Sequence, residues 1–133
     1  MSPLSSHQTA FVDRCRALGA DVKFAKSGKV HTINFGPAAP SFSGDLIDGL
    51  MNLNPRKLEL ADCAVSDIEL AALAASSNLD HLDLRNTRVS DASISVLKTM
   101  GHLRFLVLTG SQVSRDGIAD LRKAMLTTRI IYL

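Results

Sequence analysis

A spacing constrains this chain more than any other feature. Leu58, Leu82 and Leu106 lie 24 residues apart, and so do Leu60, Leu84 and Leu108, then Cys63, Thr87 and Ser111, then Val65, Val89 and Val113. Self-similarity at such a period marks a repeat architecture, in which one unit cannot bury its apolar face alone and stacks on the next. Within each unit the leucines alternate as they would along a strand, where side chains point to opposite faces in turn. Ser66, Ser90 and Ser114 then stand where helix N-caps belong, and Ser66 with Glu69 spells a capping box. Leu70 and Leu73, Ile94 and Leu97, and Ile118 and Leu121 follow at helical spacing and are expected to pack on the strands. Each unit therefore predicts a strand, a turn and a short helix. The Cys63/Thr87/Ser111 slot calls for a small group that can hydrogen-bond carbonyls inside a tight turn. That gives Cys63 a structural role, with no sign of a nucleophile.

The flanks are less regular. Residues 1–8 are small and polar and are expected to fray. Phe11, Val12, Cys15 and Leu18 follow a helical face that Gly19 would end, which makes Cys15 a buried helix residue. Val22 and Phe24 fall on one side of an alternating stretch, and Ser27 with Gly28 signals a turn into a second strand over Val30–Phe35. A helix and a hairpin ahead of the repeats would cap the array. In the first unit Ile33 and Phe35 take the leucine slots, an insertion over Gly36–Pro40 follows, Phe42 replaces the valine, and Ile47 and Leu50 resume the pattern. The Gly36–Gly44 loop reads either as a functional loop or as a loosened edge repeat. The expected organisation is one domain over residues 1–133, with a tail and cap over 1–29, four repeats of about 24 residues over 30–126, and a capping strand over 127–133.

Bulk properties exclude more than they assign. A chain of 133 residues suffices for one continuous core, and 46% apolar with 21% charged residues is ordinary globular usage. A formal charge of +2 argues for neither nucleic acid nor an anionic membrane. No apolar run is long enough to span a bilayer. The first residues carry neither a basic nor an apolar signal region. Cys15 and Cys63 suit a reduced compartment better than a disulfide framework, so a cytoplasmic location is expected.

The unit Leu79, Leu82, Leu84, Thr87, Val89, Ser90, Asp91, Ile94 resembles the bacterial leucine-rich-repeat proteins whose repeats read LxxLxLxxTxVTDxGL, of the cysteine-containing, ribonuclease-inhibitor-like kind. The next unit keeps Ser111, Val113, Ser114, Gly117 and Ile118. Phe11–Phe35 is similar to that family's opening segment, and Gly117–Met125 to its closing "LRKALPxCxI", with Leu126 at the proline, Thr128 at the cysteine and Ile130 at the last inward position. The resemblance implies an α/β fold: a right-handed solenoid with a parallel concave sheet, helices on the convex side, and caps at both ends. It also implies macromolecule binding, usually of protein, and no catalytic residues.

Alternation assigns the outward face in columns. One holds Thr32, Lys57, His81 and Phe105, the next Asn34, Glu59, Asp83 and Val107, the third Gly36, Ala61, Arg85 and Thr109. Glu59 beside Asp83, flanked by Lys57, His81 and Arg85, reads either as a solvated face with offset charges or as a metal site or acid/base pair, since like charges held close push one pKa up. Phe105 and Val107, next to Arg129, Ile131 and Leu133, suggest an apolar patch of the kind that marks partner sites. The expectation is a non-enzymatic protein-interaction scaffold without cofactor or metal, binding a protein partner through Lys57, Glu59, His81, Asp83, Arg85, Phe105, Val107 and Ile131. The alternatives are a homo-oligomeric structural subunit, such as a homodimer through the C-terminal edge strand, or a metal-binding or hydrolytic protein using Glu59, His81 and Asp83. His7, His31 and His102 are scattered, and the basic residues form no stripe, so no nucleic-acid role is expected.

Overall fold

A computed structural model describes residues 4–35, 44–75 and 78–133. The expectations placed on residues 36–43 of the Gly36–Gly44 loop, on Phe42 and on Gly36 in the third column lie outside the described residues. Helix α1 (Ser6–Ala17) leads to the strands β1 (Asp21–Phe24) and β2 (Val30–Asn34), and then to α2 (Gly44–Leu53). Strand and helix then alternate through β3 (Lys57–Glu59), α3 (Asp67–Leu73) and β4 (His81–Asp83). A 3-10 turn (Asp91–Ser93) runs into α4 (Ile94–Lys98), followed by β5 (Phe105–Val107), α5 (Arg115–Ala124) and β6 (Arg129–Ile131).

The strands form one six-stranded sheet in chain order, β1 antiparallel to β2 and every later pair parallel. Parallel neighbours need a crossover between them, and the helices supply it. The fold is thus α/β, with a mostly parallel sheet. Leu58 pairs with Ile33 and Leu82, and Leu106 with Leu82 and Ile130, so the inward leucines stack directly across the sheet. They join Leu70, Leu73, Leu97, Ile118 and Leu121 from the helices in one buried cluster. The helices cover that face of the sheet and leave the other to the outward columns.

The turn after each strand repeats too. Thr87 Oγ1 donates to the Leu84 carbonyl and Ser111 Oγ to that of Leu108, each at 2.7 Å, while Cys63 Sγ reaches the carbonyls of Ala61 at 3.6 Å and Phe35 at 3.7 Å. The residue just before each of these has a left-handed backbone: Asp62 at φ 64°, Asn86 at 56° and Gly110 at 74°. Asn and Asp tolerate that conformation better than other side-chain-bearing residues. Asn86 Nδ2 also donates to Asp62 Oδ1 at 2.8 Å, and its side-chain oxygen lies where a Cβ on Gly110 would have to go.

Three local expectations change. The chain is helical from Ser6, because Ser5 and Gln8 form a reciprocal capping box, with bonds of 3.1 and 3.0 Å that satisfy two orphan N–H groups. Phe24 does not share the buried side with Val22: the β1–β2 register shifts between Lys23 and Phe24, and Phe24 turns outward under the Arg16 guanidinium, 5.6 Å from the ring centre. Ser66 caps no backbone N–H, since its hydroxyl donates to the Glu69 carboxylate instead. Ser90 and Ser114 do cap, accepting from the N–H of Ala92 and of Gly117.

Candidate functional site

Strand register brings the predicted columns together. Thr32, Lys57, His81, Phe105 and Arg129 are successive partners across the sheet, and so are Asn34, Glu59, Asp83, Val107 and Ile131. What the spacing does not give is how the side chains then pair. Lys57 Nζ turns along its own strand to Glu59 Oε1 at 3.0 Å. Arg85, just past β4, folds back on Asp83, with its Nη2 3.0 Å from Oδ2 and its Nε 3.3 Å from both oxygens, a forked contact reinforced by the Arg85 N–H at 3.0 Å. Each carboxylate of the second column therefore has its own cation. Among the described residues, no three His, Cys, Asp or Glu side chains come together as a metal ion would need.

His81 stacks on Phe105, with ring centres 5.3 Å apart and planes 16° from parallel. The Arg129 guanidinium lies 5.8 Å from the same ring centre on the side of β6. Cation–aromatic contacts at this range are attractive. Burial, and then the Lys57 charge, lower the His81 pKa below its usual 6.5 against the pull of Glu59, Asp83 and Asp80. The row His81–Phe105–Arg129 is thus joined by a ring stack and a cation–aromatic contact.

Asp83 and Val107 are under cover, at 5% and 8% exposure, whereas Phe105 and Ile131 are half-buried. Val107 sits between Asp83 and Ile131 and contributes less surface than an alternating pattern suggests. The apolar patch of this face is therefore carried by Phe105 and Ile131, continuing into Leu133, which is 97% exposed. Lys57, Glu59 and His81 are half-buried and Arg85 is exposed, so the charged members remain reachable.

The expected set of binding residues omits two neighbours, although alternation already set Arg129 beside the apolar patch. Arg129 is the strand partner of Phe105, and Arg104 immediately precedes Phe105. With His102 and Thr127, Arg104 and Phe105 line a recess between the turns leading into β5 and β6. The signal was present, since Arg129 stands 24 residues beyond Phe105, but basic residues tallied along the sequence look scattered when the fold gathers them.

Burial disfavours the thiolate at both cysteines. Burial raises Cys15 to about 11 despite the nearby Arg14, and burial, Asp62 and Asp83 together raise Cys63 to about 11. Among the described residues, no helix is long and apolar enough to cross a membrane. No protein-family model matches the chain, and comparison with curated proteins finds no match.

Proposed function

We propose that the chain is a capped, right-handed leucine-rich-repeat solenoid, one domain over residues 1–133, working as a non-enzymatic protein-interaction module. Its binding surface is the strand face opposite the helices, concave in such a solenoid. The observation that carries this reading is the row His81–Phe105–Arg129, an aromatic anchor held between two side chains on parallel strands. A preformed anchor loses little conformational entropy on binding, and aromatic and arginine side chains dominate interface energetics. Lys57–Glu59 and Asp83–Arg85 flank the row as balanced pairs, suited to orienting a partner. Both cysteines are buried thiols, which suits a reduced, cytoplasmic setting.

The test is affinity capture from cell extract with wild type, Phe105→Glu and Lys123→Glu, read by mass spectrometry, with circular dichroism to establish that all three fold. The expected result is a protein retained by wild type and Lys123→Glu and lost by Phe105→Glu. Equal retention by all three would move binding off the sheet face. A second reading rests on β6, which is hydrogen-bonded to β5 and ends the sheet beside the exposed Leu133. Such an edge can template a second copy, and capture of the chain by itself alone would favour it.

A further inference from the structure

We propose that the recess between the turns leading into β5 and β6 binds a carboxylate-rich segment of the protein partner, with Arg104 and Arg129 as its charge contacts and Phe105 as a fixed floor. This rests on the protein-binding reading above and adds the chemistry of what is bound.

Charge points to the occupant. His102, Arg104, Phe105 and Thr127 line the recess together with Gly101 and Leu103, none of them acidic, and Arg129 overhangs the ring. The neighbouring carboxylates are already taken, since Asp80 holds the Arg56 guanidinium at 2.8 Å and Asp83 holds Arg85. Neither Arg104 nor Arg129 forms an ion pair among the described residues. Their backbones are adjacent, with the Arg129 N–H donating to the Arg104 carbonyl at 2.8 Å. Two exposed arginines, neither paired with a carboxylate among the described residues, thus leave neighbouring backbone positions beside the recess. Planar guanidinium groups match carboxylates in a forked geometry that lysine cannot reproduce.

The recess is also built to keep its shape. Thr128 Oγ1 donates to the Leu103 carbonyl at 2.6 Å and ties the turn before β6 to the turn before β5. Phosphate-rich nucleic acid fits less well. Single strands bind by stacking bases on open aromatic faces, and the Phe105 ring already has His81 stacked on it and the Arg129 guanidinium over it.

The experiment titrates the whole chain with three fluorescent probes: a blocked pentapeptide of four glutamates around a phenylalanine, its glutamine counterpart, and a short single-stranded oligothymidylate. The acidic peptide is expected to bind about tenfold or more tightly than the glutamine peptide, and to lose roughly that factor in Arg104→Glu and in Arg129→Glu and on raising the salt. Both arginines are exposed, circular dichroism establishes that the variants fold, and Lys123→Gln on α5 serves as a charge-loss control that leaves the binding in place. Equal binding of the glutamate and glutamine peptides, insensitivity to both charge reversals, or tighter binding of the oligonucleotide would each overturn the inference. Phe105-dependent capture that ignores Arg104→Glu and Arg129→Glu would overturn it while leaving the interaction module standing.

Discussion

Asp67 joins one strand–helix unit to the next through a single carboxylate. It accepts from the Ser90 N–H at 2.9 Å, from the Ser90 hydroxyl at 2.6 Å and from the hydroxyl of Ser93. Asp91 repeats this one unit on, accepting from the N–H and hydroxyl of Ser114, each at 2.7 Å. A Cβ on Gly117 would come within 2.6 Å of Asp91 Oδ1, so the glycine leaves that carboxylate its room. Burial alone would raise the Asp67 carboxyl, but the bonds from Ser90 and Ser93 outweigh it and hold the group below its usual 3.8. Asp67→Ala strands the buried Ser93 hydroxyl and the Ser90 N–H, and is expected to cost about 2 kcal/mol in urea unfolding at neutral pH. A depressed carboxylate pKa gives stability that is complete above the unfolded value and fades as pH falls below it. The gap between wild type and Asp67→Ala should therefore be constant above about pH 5 and close as pH drops through 4 and below. A gap that persists at low pH would mean that charge is not what Asp67 contributes. The sequence shows Ser–Asp twice at the repeat spacing, yet the serines look like helix caps on their own, because a cap is a local pattern and an acceptor in the preceding unit is not.

At the scale of elements, the strands were legible because two patterns agree on them: alternation sets the face and the period sets the register. The leading helix was only partly legible. Its apolar face begins at Phe11, but its true start is polar, fixed by the Ser5–Gln8 box rather than by burial. The strand β1 shows the opposite limit, since an alternating pattern assumes an unbroken ladder and a shift at Lys23 turns Phe24 away. How α1 meets α2 was not legible at all. The Phe11 ring lies against Gly49, in the space a Cβ there would take. Gly49→Ala would ordinarily help a helix by about 0.5–1 kcal/mol, but displacing a packed ring costs about 1–3 kcal/mol. The expected outcome is a net loss of about 1 kcal/mol in urea unfolding, recovered when Phe11→Leu is added. A Gly49→Ala protein more stable than wild type would show that the ring is free to move.

Across the whole molecule, the principal contacts join elements that follow one another: each strand with the next, α1 with α2, α2 with α3, and α4 with α5. The outward columns were legible at this scale, since register alone places them, but the pairing inside them was not. Lys57 and Arg85 each reach a carboxylate two residues away in their own unit instead of one across the sheet, a choice of rotamer and distance that no spacing encodes. The ordering of contacts bears on the proposed solenoid. In such an array stability is close to a sum of units and their interfaces, so damage at an end stays local while damage in the middle uncouples both sides. Leu82 is fully buried between Leu58 and Leu106, and Ile130 closes the row of inward residues at β6. Either residue changed to alanine removes about 2–5 kcal/mol by leaving a void. Native-state hydrogen exchange separates the two cases. Leu82→Ala is expected to lower protection from β3 through β5 together, whereas Ile130→Ala lowers it at β5 and β6 and leaves β2 and β3 near wild type. Uniform loss of protection in Ile130→Ala would mean that the sheet unfolds as one cooperative block, and the solenoid reading of the fold would then have to be given up.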